Sequence, residues 1–362
     1  MNGGSIPRYL LIALLIIPPA HNAAREGSAQ EEGVRRNSIS VGIRVPENPA
    51  HAWRAPLATQ SLLLAIQNTG NRIIAVGERG HILHGQKQTP WRQVDVPTQV
   101  LLTGLSFSDQ HHGFVVGHDG VILATDDGGQ TWRKAHEAAE EERPLLDVLS
   151  WDRFGIAVGA YGYLLKTENG GRSWRPDAIR QNHDFHLNAI AMTPNVITEN
   201  AITKTGRIYI AAEAGYAYRS DDLGETWKTL DPPYDGSLFG IHPTDRDKVI
   251  VFGLRGHLLV SEDAGENWRP LPTGIQSALT RAISLDNGRI LITGHGGSLV
   301  LVDHTLRRTR HARLPERKNL SSALEIAPNR VLLTGEEGIR EIDPRRVFRE
   351  APWRSLPLRR RK

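Results

Sequence analysis

The sequence predicts an all-β fold, a seven-bladed β-propeller of four-stranded antiparallel blades, on three observations. A glycine phrase recurs seven times, the recurrences are evenly spaced, and a second motif follows the first in phase. The phrase is Val76-Gly77-Glu78-Arg79-Gly80 in its first copy. It returns at Val116–Gly120, Val158–Gly162, Ala211–Gly215, Phe252–Gly256, Thr293–Gly297 and Thr334–Gly338. Its second residue advances by 40, 42, 53, 41, 41 and 41 positions, the period range of a four-stranded propeller blade. In a ring of such blades each sheet buries its faces against its neighbours, so the 362 residues read as one closed domain.

Each unit reads as strand, turn, strand. In the first, Leu62 to Ile66, Arg72 to Val76 and His81 to His84 are short runs rich in Val, Ile and Leu and punctuated by Gly or Asn, which argues for strands over helices. Gly77 to Gly80 then links two of them as a hairpin, expected to be a type I turn whose last Gly is a left-handed bulge.

The second motif follows the third strand and fits Ser/Thr-x-Asp/Asn-x-Gly-x-x-Trp in four units. Its positions are Thr125, Asp127, Gly129 and Trp132; Thr167, Asn169, Gly171 and Trp174; Ser220, Asp222, Gly224 and Trp227; and Ser261, Asp263, Gly265 and Trp268. The Asp or Asn folds a turn by accepting backbone N–H bonds, the Gly permits positive φ, and the Trp opening the next strand covers apolar surface. These residues are read as structural.

The octapeptide resembles the Asp box of sialidase-type propellers. Combined with Val-Gly-x-x-Gly it is similar to the photosystem II assembly and stability factor family of seven-bladed propellers, over roughly residues 53–358. The first unit departs from the pattern, because His84 to Trp91 lacks the Asp and Gly. The sixth and seventh units (Val302 to Arg310, Ile342 to Trp353) lack the box.

There is no cysteine, which removes disulfides, a thiolate nucleophile, thiolate metal ligands and an acylated lipoprotein Cys. Residues 1–24 read as a signal peptide, with Arg8, an apolar run from Tyr9 to Ile17 and small residues around Ala23 and Ala24; cleavage could fall as late as 29. Nine apolar residues are too few to span a bilayer. Residues 25–50 read as a polar linker, 51–358 as the propeller and 359–362 as a basic tail.

Charge is uneven. Leu301 to Lys362 holds 16 Lys and Arg against 8 Asp and Glu, so the chain's net +4 leaves −4 for everything before it. Such an Arg-rich flank suits an acidic partner or an anionic membrane surface, and equally a plain solvated face. Nucleic acid is not expected, since an export signal separates the chain from it and the basic region has few interleaved aromatics.

With strands running from the axis outward, the boxes share one face, and the Gly-x-x-Gly tips share the other with the loops entering each new blade. Those loops are His136 to Pro144, Asp177 to His186 and Asp231 to Gly236. The tip face gathers Glu78, Arg79, His118, Asp119, Tyr161, Glu213, Arg255, His295, Glu336 and Glu337. Of these, Arg79, His118, Tyr161, Arg255 and His295 are the candidate partner-binding residues. The extra length of the fourth unit, Met192 to Arg207, should project from the box face as a loop. No cofactor or metal is expected, because the close His pairs His183/His186 and His111/His112 are not set beside a carboxylate on a helix, and a pair alone cannot supply a ligand geometry.

The expected role is a non-catalytic exported assembly or accessory factor. The family resemblance implies a chaperone-like role in the thylakoid lumen, holding a photosystem II intermediate. In a non-photosynthetic bacterium the same object would sit in the periplasm, with a membrane complex such as a resistance-nodulation-division exporter as client. The alternatives are a sialidase-like glycoside hydrolase, for which Tyr161, Tyr163 and Tyr234 would be nucleophile candidates, or a carbohydrate-binding propeller. For ring closure, Trp53-Arg54-Ala55-Pro56 and Trp353-Arg354-Ser355-Leu356 compete for the outer strand of the seventh blade, and the N-terminal segment is expected to take it.

Overall fold

The computed structural model describes residues 50–86, 89–180, 184–194, 197–198, 201–202 and 206–355. The expected signal peptide, nearly all of the expected linker, the basic tail and His183 lie outside the described residues. Seven antiparallel sheets form one ring. Blades 1 to 6 each hold the expected four strands in sequence order; blade 1, for example, runs Leu63–Asn68, Ile73–Gly77, Ile82–Gln86 and Thr89–Gln93. Inner strands of successive blades pack side by side, and Leu63–Asn68 of blade 1 meets Leu320–Ala327 of blade 7, closing the circle.

Burial follows position. The second strands Ile73–Gly77, Gly113–Gly117, Ile208–Ala212, Val249–Gly253 and Ile290–Gly294 are buried at every residue. A middle strand flanked by a blade on each face has no solvent side, hence its unbroken apolar run. Seven apolar clusters result, one in each seam between adjacent blades. The last joins Leu63, Ile73 and Leu83 to Ile326 and Leu332 and welds blade 1 to blade 7.

The tip turns differ from expectation. His81 N donates to Glu78 O at 2.9 Å, and the two residues between are both left-handed, Arg79 at φ 53° and Gly80 at φ 70°. This is a type I′ turn, whose twist matches the flanking strands where type I would splay them. Asp119, Tyr161, Ala214 and Arg255 repeat the positive φ. The glycine before six of the seven tips, replaced by Ala212 in blade 4, serves another purpose. A Cβ on Gly77 would lie 2.0 Å from Leu62 O, and one on Gly253 2.2 Å from Ser237 O, because the second strand crosses hard against the start of the inner one.

Blade 7 departs from the pattern: its sheet has three strands, Leu320–Ala327, Arg330–Gly335 and Gly338–Ile342. Neither candidate closing strand supplies a fourth. Arg354–Ser355 pairs instead with Arg308–Arg313 as a fifth strand of blade 6. The N-terminal segment lies along blade 1, where Ala52 N donates to Val96 O and the Gln93 amide holds both Trp53 O and Ala55 N. Its next turn, Ala58–Gln60, packs on the third strand of blade 7, so closure comes from packing and not from a shared sheet. The long connection in blade 4 carries a small hairpin, Ile197–Thr198 with Ala201–Ile202, where a loop was expected.

Candidate functional site

The tips are held over the channel mouth by a repeated backbone bond. The first tip residue donates its N–H to the carbonyl just ahead of its own inner strand: Glu78 to Leu62, His118 to Leu101, Ala160 to Pro144, Glu213 to His186, Leu254 to Ser237, His295 to Ala278 and Glu336 to Asn319, at 2.9 to 3.1 Å. The tips also bond the loops entering the next blade, as in Gly80 N to Val100 O and Gly162 N to Phe185 O. Tips and entry loops therefore share one rim.

All five candidate residues stand on that rim, at two kinds of position. Arg79, Tyr161 and Arg255 occupy the left-handed second position and are exposed. His118 and His295 occupy the first position and are half-buried. Burial holds both imidazoles below their usual range, against the opposing pull of Asp119 on one and Glu336 on the other. Both are thus neutral near pH 7. A side chain at the left-handed position costs on the order of 1 kcal/mol relative to glycine, so three exposed residues are displayed at an energetic cost.

Side chains outside the five candidates brace these tips. Tyr161 N donates to His186 Nδ1 at 3.0 Å and the two rings meet edge-on at 4.8 Å. His186 N in turn donates to Glu213 Oε2 at 3.1 Å. Beside Arg255, Tyr234 stacks on His257 at 4.0 Å and donates its hydroxyl to Leu254 O. At the sixth tip Gly296 N donates to Asn319 Oδ1, while Asn319 Nδ2 donates to Glu336. Tyr163 is drawn into structure as well: burial raises its pKa, and its hydroxyl lies 3.1 Å from His136 Nε2.

On the opposite face the four boxes share one hydrogen-bond pattern. In the third, Ser220 Oγ donates to Asp222 Oδ1 and accepts from Gly224 N, while Asp222 accepts from Thr226 N and the Thr226 hydroxyl. Thr125 and Asp127, Thr167 and Asn169, and Ser261 and Asp263 make the corresponding bonds. Gly129, Gly171, Gly224 and Gly265 all have positive φ. Trp132 packs edge-on against Phe107 and Trp174 against Phe114; Trp227 and Trp268 pack at the blade 3–4 and 4–5 seams. Burial alone would raise the Asp222 carboxyl, but the donors from Thr226 and Ser220 outweigh it and pull it down to about 2.

The boxes also latch blade to blade. Arg72 reaches Asp127 O and Gly128 O, Arg133 reaches Gly170 O and Gly171 O, Lys166 binds Gly224 O, Arg219 binds Ala264 O, and Arg269 binds Leu306 O. In blade 6, where the motif is missing, buried Asp303 takes its place by accepting from Thr305 Oγ1, Arg307 N and Arg308 N. The sequence signal there was a lone Asp directly after the strand Ser298–Val302, too little to distinguish from chance.

The third residues of the seven inner strands occupy equivalent places around the ring. Five are small, Ala65, Gly104, Ala189, Gly240 and Ser322, and two are Asp147 and Arg281. Arg281 Nη1 reaches Asp147 Oδ2 at 2.9 Å, joining blades 6 and 3 across the axis. Aligning the seven blades would have revealed this pair.

The family model for the photosynthesis system II assembly factor YCF48 matches residues 83–228. Over this stretch the chain is similar to photosystem II assembly factors. It is 41% identical over 140 residues to the photosystem II assembly lipoprotein Ycf48 of Prochlorococcus marinus strain MIT 9313, covering 39% of each chain. It is 35% identical over 92 residues to the chloroplastic photosystem II stability/assembly factor HCF136 of Cyanidioschyzon merolae, covering 25% of this chain and 20% of that one. The chain thus spans less than half the length of the curated relatives it matches. Among solved structures, YCF48 from Cyanidioschyzon merolae superposes with a TM-score of 0.62 at 17% identity, covering 82% of this chain and all of that one. A YCF48 bound to D1 peptide superposes with a TM-score of 0.61 at 15% identity, covering 84% and 98%. At these identities the structural likeness speaks for the shared ring.

Proposed function

We propose that this photosystem II assembly factor-like chain is an extracytoplasmic, non-catalytic assembly factor that holds a segment of a membrane-protein subunit on its tip rim. The observation that carries the reading is the display of Arg79, Tyr161 and Arg255 on left-handed tips around one opening. Residues presented at a backbone cost in a surface turn are selected for contact more readily than for stability. The names of the relatives support the class of client, a photosystem II subunit, and one similar structure holds a D1 peptide. Several of the relatives are named lipoproteins; cysteine acylation is not available to this sequence.

The test is a titration of the full chain with a peptide of the photosystem II D1 subunit and, separately, with a periplasmic segment of an exporter subunit. The proposal expects one of the two to bind the wild type and to lose at least about tenfold in affinity when Arg79, Tyr161 and Arg255 are replaced by Ala, as the loss of a few anchoring side chains commonly produces. Equal binding by wild type and variant would remove the rim from the account. D1 peptide binding decides for a photosystem client, exporter binding for the alternative.

A further inference from the structure

Two junctions between blades make the same tip contact with different chemistry. Where blade 6 meets blade 7, Asn319 directly precedes the inner strand Leu320–Ala327. Its Oδ1 accepts from Gly296 N, the second residue of the sixth tip, at 2.9 Å. Asn319 N and Nδ2 donate to the Glu336 carboxylate at 3.1 and 2.7 Å. Where blade 3 meets blade 4, His186 directly precedes the inner strand Leu187–Met192. Its Nδ1 accepts from Tyr161 N, the second residue of the third tip, at 3.0 Å, and His186 N donates to Glu213 Oε2 at 3.1 Å. Glu213 and Glu336 each open the tip of the following blade, so His186 stands where Asn319 stands.

An amide oxygen accepts at every pH, whereas an imidazole nitrogen accepts only while it is unprotonated. Because a backbone N–H can only donate, the bond from Tyr161 requires the neutral ring with its proton on Nε2. Nε2 lies 3.9 Å from Glu213 Oε1, too far for a hydrogen bond but near enough for the carboxylate to attract an imidazolium. Protonation at Nδ1 would set two N–H groups against each other and leave the charged ring drawn to Glu213. The remaining bonds of this tip, Ala160 N to Pro144 O and Gly162 N to Phe185 O, join backbone groups that do not titrate. Among the described residues the titratable groups facing His186 are Glu213 from the fourth tip and the Tyr161 ring from the third. Its own segment adds the exposed Asp184.

We propose that His186 is a proton-sensitive latch on the Tyr161 tip, holding it when neutral and releasing it when charged, so that the rim grips a client less firmly in acid. The inference rests on the rim as the client surface. Imidazole is the side chain that ordinarily changes charge between about pH 5 and 8, so the latch would work in the mildly acidic range.

The experiment follows the Tyr161 backbone amide and the His186 ring nitrogens by NMR in the full chain from about pH 8 to about pH 5. Wild type is compared with His186→Asn, which copies the junction of blades 6 and 7, and with His186→Leu, which has no acceptor at any pH. The same proteins are titrated with the D1-subunit peptide at both ends of the range. The latch expects the Tyr161 resonance to move with the midpoint of the His186 ring, to stay still in His186→Asn, and to be displaced throughout in His186→Leu. The acid loss of peptide affinity should be roughly threefold to tenfold larger in wild type than in His186→Asn, the worth of one hydrogen bond. His118 and His295 are present in both proteins and cancel in that ratio. A Tyr161 amide that ignores the His186 titration, or equal acid losses in wild type and His186→Asn, would overturn the latch. Failure of the rim reading looks different: a Tyr161 amide that tracks the ring, with no peptide bound at either pH, removes the client and leaves the latch standing.

Discussion

Single residues set the local geometry through very few bonds. Replacing Asp222 by Ala removes the acceptor for Thr226 N and two hydroxyls and should lower stability by about 1–3 kcal/mol. Replacement by Asn should cost much less, because Asn169 already fills this position in the second box with the same backbone bond. The pH behaviour separates the two chemistries. The folded carboxyl sits at about 2, below its ordinary 3.8, so its contribution is full above about 4 and is lost as pH falls through about 2. Acid titration of melting temperature should show that loss in the wild type and a shallower one in Asp222→Asn; superimposable curves would reject the assignment. At the tips the sign reverses. Arg255→Gly relieves a left-handed backbone and should raise stability by about 0.5–1 kcal/mol while weakening client binding. A destabilised Arg255→Gly protein would mean that Arg255 is needed for the turn itself.

At the level of strands and turns, the sequence made visible what repeats and concealed what is particular to one blade. The strand runs and the four boxes were legible because the same backbone demand, a tight turn or a covered face, is answered by the same residue type each time. The tip was harder. Gly80 announced a left-handed residue, but Arg79 beside it carried no sign of one, since only glycine advertises positive φ by its identity. Asp303 escaped because a single carboxylate without its Gly and Trp companions is indistinguishable from a solvated one. The fourth strand of blade 7 was misassigned because Trp-Arg at both ends looks alike in sequence, whereas partner choice depends on where the termini emerge. The seams offer a direct check of the packing. Ile292 is wholly buried in the blade 5–6 cluster, so Ile292→Ala should cost about 2–5 kcal/mol in chemical denaturation. A loss under 1 kcal/mol would show that the seam is loosely packed.

For the whole molecule, closure rests on apolar seams and one bond across the axis. Asp147 is buried, and Arg281 and Ile190 N both donate to it. Asp147→Ala removes the acceptor of Ile190 N and of the partly exposed Arg281 guanidinium and should cost about 1–3 kcal/mol, while replacing both partners by apolar residues should recover most of that. Acidification adds a second strain. Burial, with help from Arg281, lowers the His242 pKa to about 4, so the folded ring keeps it neutral where the unfolded chain takes up a proton. Stability should fall as pH drops from about 6.5 to about 4. In His242→Gln, a melting profile flatter over that interval is the expected result, and an unchanged slope would place the pH dependence elsewhere.

Whether clients are held on the tip rim can be read from site-specific photo-crosslinking. A benzophenone side chain is introduced in place of Tyr161 on the rim or of Arg172 on the box face, in the full chain, and irradiated in membranes that contain the client complex. A client adduct from position 161 with none from position 172 is the predicted result. An adduct formed from the box face and not from the rim would contradict the account.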